Sequence, residues 1–243
     1  MHLPKVIAHR GASQIAPENT LIAFEKAHEL GATWIELDVM LTKDNVAIIH
    51  HDETFERILG LNQNVQQTPY AQIKDLDAGS WFDKKFASAR IPTLAQTLTL
   101  CADLGLSINI ELKTTEAYAK HTTLKTLEIL KQFKFFTPEN ILFSSQEILA
   151  LETVQSQAPD YKLGLIADNW PDVNKGLAQN LKLYSLSLHY PMLNQDNIKI
   201  LHEQGYQVLA FTVNDHSLAE QLFNIGICSV FSDDALLLSR SIL

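Results

Sequence analysis

Residues 34–52 read WIELDVMLTKDNVAIIHHD, and this stretch predicts two consecutive β-strands that run in opposite directions. Its two strand-like runs, 34–41 and 46–51, each have the length of a strand. Only the four residues Thr42–Asn45 separate them, which is too short for a parallel crossover. Because Asp44-Asn45 is a turn signal, we expect the second run to fold back on the first as an antiparallel hairpin.

The same stretch carries charged side chains that packing alone does not explain. Residues two apart on a strand point to the same face, so Glu36 and Asp38 face one way while Leu37 packs on the other side. Folding about the turn brings His51 opposite the end of the strand that carries these two carboxylates. We therefore expect the hairpin to deliver a histidine to a pair of acidic groups.

Two further strand candidates also end in charged residues. The first apolar run of the chain ends in His9 and Arg10, and Ile108–Ile110 leads into Glu111, with Lys113 on the same face. A single group of this kind is ordinary for a salt bridge at a strand end, whereas four groups together argue against that interpretation. Three carboxylates, two imidazoles and two cations predict a metal site that handles a phosphate ester.

The three carboxylates, Glu36, Asp38 and Glu111, favour a hard divalent cation. Two unpaired carboxylates roughly 4 Å apart repel by about 4 kcal/mol at an effective dielectric of about 20, and a cation removes that cost. Oxygen ligands suit Mg²⁺ or Ca²⁺. No cysteine or paired histidine lies near these residues in the sequence, which argues against zinc. We expect Mg²⁺ or Ca²⁺ as the cofactor.

Strand and helix patterns alternate along the rest of the chain. Eight strands with helical crossovers are the number in a (β/α)8 barrel, where the loops after the strands carry the chemistry. The expected fold class is therefore α/β, a (β/α)8 TIM-type barrel with a β-hairpin and a small cap inserted after the second barrel strand. The predicted barrel strands are Val6–Arg10, Trp34–Leu41, Ser107–Lys113, Ile141–Ser145, Leu163–Ala167, Tyr184–His189, Val208–Val213 and Cys228–Ser232. Helical patterns occupy 18–30 and lie near 93–104, 117–133, 146–157, 171–180, 194–204 and 216–225.

The length of the chain fits one such barrel. At 243 residues with 46% hydrophobic residues, it can bury a sizeable core, and we expect one domain, 1–243, with an insertion at approximately 43–91. The insertion begins with polar residues after Gly60 and ends in Trp81-Phe82. This composition suggests a small cap above the site.

The charge balance limits the class of partner. With 19 Lys and Arg against 28 Asp and Glu, a net charge of −9 and no basic run, the chain is not expected to bind nucleic acid. An anionic small-molecule substrate would then depend on local positive charge, from Arg10, Lys113 and the metal. No apolar stretch approaches the roughly 18 residues of a membrane span, so no stable membrane anchor is expected. The sequence leaves the oligomeric state open.

Two features favour a cytoplasmic location. Met1–Lys5 leads directly into the first strand, which leaves no room for a signal peptide. Cys101 and Cys228 lie in predicted packed elements and are typical of buried free thiols in a reducing compartment.

Along nearly its whole length the sequence resembles the glycerophosphodiester phosphodiesterases. Each shared motif is weak alone, and their order within one barrel-length chain is specific. The motifs are HRGA at 9–12, PENT at 17–20, IELDV at 35–39, HDET at 51–54, GSWF at 79–82, IPTL at 91–94, NIELK at 109–113, FSS at 143–145 and TVN at 212–214.

The resemblance implies metal-dependent hydrolysis of glycerophosphodiesters to sn-glycerol 3-phosphate and an alcohol. It leaves open which histidine is the acid, and whether water attacks directly or the glycerol 2-hydroxyl first forms a cyclic phosphate. The implied roles are metal binding by Glu36, Asp38 and Glu111, acid–base catalysis by His9 and His51, and phosphate contact by Arg10 and Lys113.

Two positions depart from the family pattern and concern the leaving-group pocket. Gln146 stands where the family commonly has an aromatic residue, and Phe211 where it commonly has tryptophan. The alternatives to the implied activity are a lysophospholipase D acting on acylated glycerophosphodiesters, a lyase that stops at the cyclic phosphate, and a non-catalytic phosphate-binding barrel.

Other polar residues receive different interpretations. His50 points away from His51 along the strand, so we expect it to pack or to be exposed. His189 ends a barrel strand, where a contact near the substrate and simple exposure are equally open. Asp233 and Asp234 follow the last strand, and the favoured interpretation is a pair of carboxylates that begin a helix.

Overall fold

The computed structural model describes residues 1–234, and its centre is a closed barrel of eight parallel strands. The strands of the described residues are β1 (Val6–Ala8), β2 (Trp34–Leu41), β3 (Ala47–Ile49), β4 (Thr54–Phe55), β5 (Leu61–Asn64), β6 (Ser107–Leu112), β7 (Ile141–Ser145), β8 (Lys162–Ala167), β9 (Leu183–His189), β10 (Gln207–Phe211) and β11 (Ser229–Ser232). All but β3, β4 and β5 form the ring in chain order, and β11 pairs with β1 to close it. The predicted (β/α)8 barrel is confirmed.

Helices connect successive barrel strands and cover the outside of the ring. Apart from α2 (Glu56–Leu59), which lies in the insertion and was not predicted, their bounds match the predicted patterns to within a few residues. Over residues 1–234 the helices are α1 (Leu21–Glu29), α2 (Glu56–Leu59), α3 (Leu94–Leu104), α4 (Glu116–Leu130), α5 (Ile148–Gln157), α6 (Trp170–Leu177), α7 (Gln195–Glu203) and α8 (His216–Asn224), with short 3₁₀ turns at Val65–Gln67, Tyr70–Gln72, Lys84–Phe86 and Tyr190–Met192.

The predicted hairpin is confirmed. β3 pairs antiparallel with β2, with Leu41 opposite Ala47 and Val39 opposite Ile49. Asn45 occupies the left-handed region at φ 63°, which asparagine tolerates in turns. The His50 amide still donates to the Asp38 carbonyl at 2.9 Å. The residue that follows, His51, therefore arrives beside the end of β2, where the carboxylates lie.

The loop after β1 begins earlier than the sequence predicts. The predicted strand Val6–Arg10 ends at Ala8, because Arg10 and Gly11 both adopt left-handed backbone conformations, at φ 54° and 85°. A Cβ atom at Gly11 would lie 2.7 Å from the backbone of Ala23. Only glycine can make this turn, which directs the loop over the mouth of the barrel.

Helix α1 likewise begins later than predicted. Thr20 is its N-cap, with Oγ1 accepting from the Ala23 amide, so the helix starts at Leu21 and not at Glu18. Glu18 and Asn19 are therefore loop residues, and their side chains are free to reach the mouth of the barrel.

The apolar residues of the described chain form layers that fill one end of the barrel. Alternation along the strands places one set inside the ring and another between the ring and the helices. Met1 and Leu3 pack against the inner set, so the end at which the strands begin is filled. The inner set consists of Ile7, Trp34, Leu142, Leu209 and Phe231.

The segment between β3 and α3 has its own apolar cluster. Phe55, Val65 and Ile73 are fully buried there and pack with Met40 and Ile48 from the hairpin. The segment is thus attached to the outer side of the hairpin, and it lies next to the residues that follow His51.

Two properties of residues 1–234 concern membrane-spanning helices and the state of the cysteines. No helix in this part of the chain is both long and apolar enough to cross a bilayer. Cys101 is a buried free thiol, as predicted, whereas Cys228 is only half-buried because it precedes β11 and does not lie within it.

Candidate active site

Three carboxylates meet where β2 and β6 lie side by side. Glu36 and Asp38 come from β2, and Glu111 comes from β6 directly opposite Asp38 in the parallel register. Each contributes an oxygen, and these oxygens all lie within 4.8 Å of one another. Glu36 and Asp38 are only 2% and 1% exposed. Packing two acids this deeply beside a third needs a compensating positive charge.

The electrostatics of the cluster show that the nearby side chains supply only part of this charge. Burial, followed by the charges of Asp38 and Glu111, raises the pKa of Glu36 well above its ordinary value. Burial and the charge of Asp38 also raise the pKa of Glu111. For Asp38 burial acts in the same direction, but the neighbouring cations, Arg10 above all, hold its pKa at about 2.

Two oxygens of the cluster lack partners. Glu36 Oε1 and Asp38 Oδ1 are buried and accept no hydrogen bond from residues 1–234. Buried carboxylate oxygens are normally satisfied by donors or by a metal. Three anionic oxygen donors, two of them with unsatisfied oxygens, fit a hard divalent cation of the Mg²⁺ or Ca²⁺ type.

Asn19 holds one of these carboxylates in place, and the sequence did not predict this role. Its Nδ2 donates to Asp38 Oδ2 at 2.7 Å, and its Oδ1 accepts from the Asp38 amide at 3.4 Å. The residue is 4% exposed and has φ 55°. The helical pattern predicted over 18–30 includes Asn19, whereas in the structure Asn19 is a buried loop residue in a left-handed conformation that positions Asp38.

The two predicted cations flank the carboxylates. The backbone amide of Arg10 donates to Glu36 Oε2 at 2.9 Å, and the Nε atom of the Arg10 side chain lies 3.3 Å from Asp38 Oδ2. Lys113 Nζ donates to Glu111 Oε1 at 3.0 Å. Burial lowers the pKa of each cation, but the adjacent carboxylates outweigh burial and raise it. Both side chains are therefore fully charged at neutral pH.

His9 is paired with a carboxylate from the other end of the chain. Its Nδ1 lies 2.7 Å from Asp233 Oδ1, and Asp233 also accepts from Ser13 Oγ and Asn214 Nδ2. Burial opposes ionisation, but the bond with His9 above all holds the pKa of Asp233 at about 2. An ionised carboxylate only accepts, so Nδ1 carries the proton and Nε2 is left free. The sequence favoured Asp233 as a residue that begins a helix, and its contact with His9 was not predicted.

His51 has the same arrangement with its neighbour in sequence. Its Nδ1 lies 2.8 Å from Asp52 Oδ1, which again leaves Nε2 free. Asp52 in turn accepts from Arg57 Nε at 2.7 Å. Hydrogen bonds from Arg57 and His51 outweigh burial and lower the pKa of Asp52. Each of the two predicted acid–base histidines is thus oriented by an ionised aspartate.

Arg57, on α2, connects the two halves of the site. Besides Asp52, it donates from Nη1 to Glu18 Oε2 at 2.7 Å and from Nη2 to Glu18 Oε1 at 2.9 Å. Glu18 also accepts from Arg10 Nη1 at 2.8 Å. A chain of ion pairs therefore runs from His51 through Arg57 to Arg10. Neither Arg57 nor Glu18 is among the site residues predicted from the sequence.

A cavity of about 380 Å³ at the open end of the barrel brings the predicted residues together. Asp38, which is only 1% exposed, is not in its lining. A second cavity of about 190 Å³ lies toward the β3–α3 segment and shares His51, Glu111, Lys113 and Gln146 with the first. The predicted residues that line the larger cavity are His9, Arg10, Glu36, His51, Glu111 and Lys113.

The remaining residues singled out in the sequence have simpler roles. His50 is buried with Nε2 3.1 Å from the Thr54 carbonyl and its ring packed on Phe55, so the packing interpretation is confirmed. His189 is exposed, with its ring centroid 6.0 Å from that of Phe211. Gln146 donates to Asp168 at 2.7 Å, and Phe211 lines the larger cavity. Both residues that depart from the family pattern, Gln146 and Phe211, therefore line the larger cavity.

Comparisons with known proteins agree with this geometry. The sequence profile of the glycerophosphoryl diester phosphodiesterase family matches residues 9–237. A glycerophosphodiester phosphodiesterase from Caldanaerobacter subterraneus subsp. tengcongensis is 34% identical over 229 residues, 94% of this chain and 93% of that protein. The structure of an Oleispira antarctica phosphodiesterase in complex with the product sn-glycerol-3-phosphate superposes with a TM-score of 0.93 at 35% identity, covering 99% of this chain and 97% of the other. A glycerophosphodiester phosphodiesterase from Thermotoga maritima gives a TM-score of 0.75 at 27% identity, with 99% of both chains covered.

Proposed function

The chain belongs to the glycerophosphoryl diester phosphodiesterase family, and from this premise we propose that it hydrolyses glycerophosphodiesters to sn-glycerol 3-phosphate and an alcohol with a bound divalent cation and two acid–base histidines. Phosphodiesterase activity follows from the family and from relatives that match nearly the whole chain. The observation that carries the finer proposal is the convergence of three carboxylates, two cations and two histidines on one site. The product bound to the Oleispira antarctica enzyme supports sn-glycerol 3-phosphate as the product here.

Glu36, Asp38 and Glu111 would hold the metal, Mg²⁺ or Ca²⁺. When bound, the cation would supply Lewis-acid polarisation of the non-bridging phosphate oxygens. Arg10 and Lys113 stand on either side of the carboxylates as fixed positive charges. They would bind the phosphate and stabilise the charge that develops on its oxygens in a largely buried site.

The two histidines would move the protons. Both have Nδ1 on an ionised aspartate, so each Nε2 is available to exchange a proton with the reacting groups. One would take a proton from the nucleophile, and the other would give a proton to the leaving alkoxide. The two pairs are alike in geometry, so neither is assigned as the base.

The whole chain, 1–243, serves in this proposal as one catalytic domain with an insertion at approximately 43–91. The free thiols of Cys101 and Cys228 support the further proposal of a reducing compartment such as the cytoplasm.

The decisive experiment is identification of the products from glycerophosphocholine. We expect sn-glycerol 3-phosphate, detected with a coupled glycerol 3-phosphate dehydrogenase, and free choline in equal amounts. Accumulation of phosphocholine and glycerol, or of a cyclic glycerophosphate that is not hydrolysed further, would contradict the proposed reaction.

A further inference from the structure

Two buried polar groups in the larger cavity have no role in the chemistry described so far. Asn109 Oδ1, on β6, and Ser187 Oγ, on β9, belong to residues that are each 1% exposed. Neither atom has a hydrogen-bond partner among residues 1–234. Both residues line the same cavity as His9 and Glu36. An unpaired buried polar group is costly, so a partner is expected to enter the cavity.

The geometry of Asn109 defines what that partner must be. Its Nδ2 donates to Ser144 Oγ at 2.9 Å, which directs Oδ1 to the other side of the amide. Oδ1 only accepts, so its partner must be a donor such as a hydroxyl. Asn109 precedes Glu111 by two residues on the same face of β6 and lies opposite Glu36 in the register. The partner would therefore lie beside the carboxylate cluster.

Other walls of the cavity favour a short carbon chain. Ser187 can donate or accept, and it lies three strands from Asn109 around the barrel. Ile166, Phe211 and Phe231 contribute apolar surface to the same cavity. A ligand that presents hydroxyls to the polar groups and C–H groups to the apolar ones would satisfy the lining.

We propose that Asn109 and Ser187 form a subsite for the hydroxyl groups of the substrate's glycerol moiety. The inference rests on the proposed function and adds the residues that distinguish glycerol from a plain alkyl group. A site built to pair with a hydroxyl discriminates strongly against an analogue that lacks it, because the buried groups are then left unpaired.

The test compares two ligands that differ only in their hydroxyls, sn-glycerol 3-phosphate and propyl phosphate, by titration calorimetry on the metal-loaded protein. We expect Ser187→Ala to weaken binding of sn-glycerol 3-phosphate by about tenfold and to leave propyl phosphate within about twofold. Ser185→Ala is the matched control. Its hydroxyl lies on the same strand and is also buried with no hydrogen-bond partner in the described part of the chain, but Ser185 does not line the cavity. We expect it to change neither affinity.

Asn109→Leu provides a second, independent measurement, with thermal unfolding as the check on folding. It should also weaken sn-glycerol 3-phosphate selectively. If Asn109→Leu does not fold, Ser187→Ala still decides the question. Equal weakening of both ligands in Ser187→Ala, or no weakening of either, would overturn the subsite while the wild type still bound sn-glycerol 3-phosphate. A wild type that bound neither phosphate would refute the proposed function and this subsite together.

Discussion

The Nδ1 atom of His9 lies 2.7 Å from Oδ1 of Asp233, although 224 residues separate the two in the sequence. Closure of the barrel makes this contact possible. β1 pairs with β11, and the amide of His9 donates to the carbonyl of Ser232 at 2.9 Å. The hydrogen bond fixes the tautomer of His9 and places its Nε2 3.9 Å from Glu36.

Asp233→Asn should impair catalysis without unfolding the protein. The amide can present a donor to Nδ1, which favours the wrong tautomer of His9 and removes the charge that stabilises its protonated form. We expect kcat to fall by about 10²-fold or more, with KM changed much less. Ser13→Ala is the matched control, because it removes the hydrogen bonds of Ser13 to Asp233 and to the His9 carbonyl but keeps the contact between Asp233 and the His9 ring. Equal losses in the two variants would contradict the positioning role.

Removal of either proposed acid–base histidine should be more damaging. We expect His9→Ala and His51→Ala each to lower kcat by about 10²–10⁴-fold, the usual contribution of a positioned acid or base. Unfolding temperatures should stay close to wild type, because both side chains line a cavity. His50→Ala, which alters a packed neighbour, should keep kcat within a few-fold of wild type. If His50→Ala lowered kcat strongly while His51→Ala left it unchanged, the assignment of His51 as an acid–base residue would be refuted.

Arg57→Gln tests the connection between the two halves of the site. The change removes the guanidinium that donates to Asp52 and Glu18. Asp52, which orients His51, and Glu18, which binds Arg10, are then held less firmly. We expect kcat/KM to fall by about tenfold or more, because Asp52 loses the hydrogen bonds from Arg57 that hold it in place beside His51. Stability should change little, because Arg57 is 41% exposed.

Arg90→Gln is a suitable control for Arg57→Gln. Arg90 precedes α3 and, within residues 1–234, donates only to the nearby carbonyls of Ala87 and Ala89. It should behave like wild type in both assays. If Arg90→Gln lost as much activity as Arg57→Gln, the loss would come from disturbing the β3–α3 segment in general and not from the ion pairs of Arg57.

Metal removal should abolish activity. Glu36 Oε1 and Asp38 Oδ1 lack partners among residues 1–234, and Arg10 and Lys113 satisfy only part of the cluster. We expect no turnover after dialysis against chelator, with recovery on addition of Mg²⁺ or Ca²⁺. The cation should also raise the unfolding temperature, because it binds the folded state. Full activity in excess chelator would refute the metal site.

The metal-free protein should become more stable as the pH falls. The folded pKa of Glu36 and Glu111 exceeds their ordinary value of 4.5, so above pH 4.5 the folded state binds more protons than the unfolded state. Their contribution to stability is complete below 4.5 and is lost as the pH rises through the raised folded values. In chelator we therefore expect the unfolding temperature to rise as the pH is lowered from neutrality towards 4.5.

Glu36→Gln isolates this effect from the titration of the histidines. The variant lacks the most strongly perturbed carboxyl of the cluster, so its metal-free stability should depend less on pH over the same range. Asp38 does not contribute to the pH dependence in this range, because its folded pKa of about 2 affects stability only at lower pH. Identical pH dependence in the variant and the wild type would show that Glu36 is not perturbed in this way.

Local features of the sequence were enough to predict the barrel and the central groups of the site. Period-two alternation placed Glu36 and Asp38 on one face, and a four-residue link that ends in Asp-Asn required the hairpin that carries His51. These predictions succeeded because strand direction, facing and turn geometry depend on residues within a few positions of one another.

Contacts between distant segments were decided only by the tertiary structure. Nothing near Asp233 in the sequence indicates His9, and nothing near Arg57 indicates Glu18, 39 residues earlier. Asn19 reaches Asp38 only because α1 starts at Leu21 and leaves the preceding residues in a loop. Strand closure, loop path and side-chain rotation set these distances together. Sequence spacing determined which residues could carry the chemistry, and the three-dimensional packing of the barrel determined which residues hold them in position.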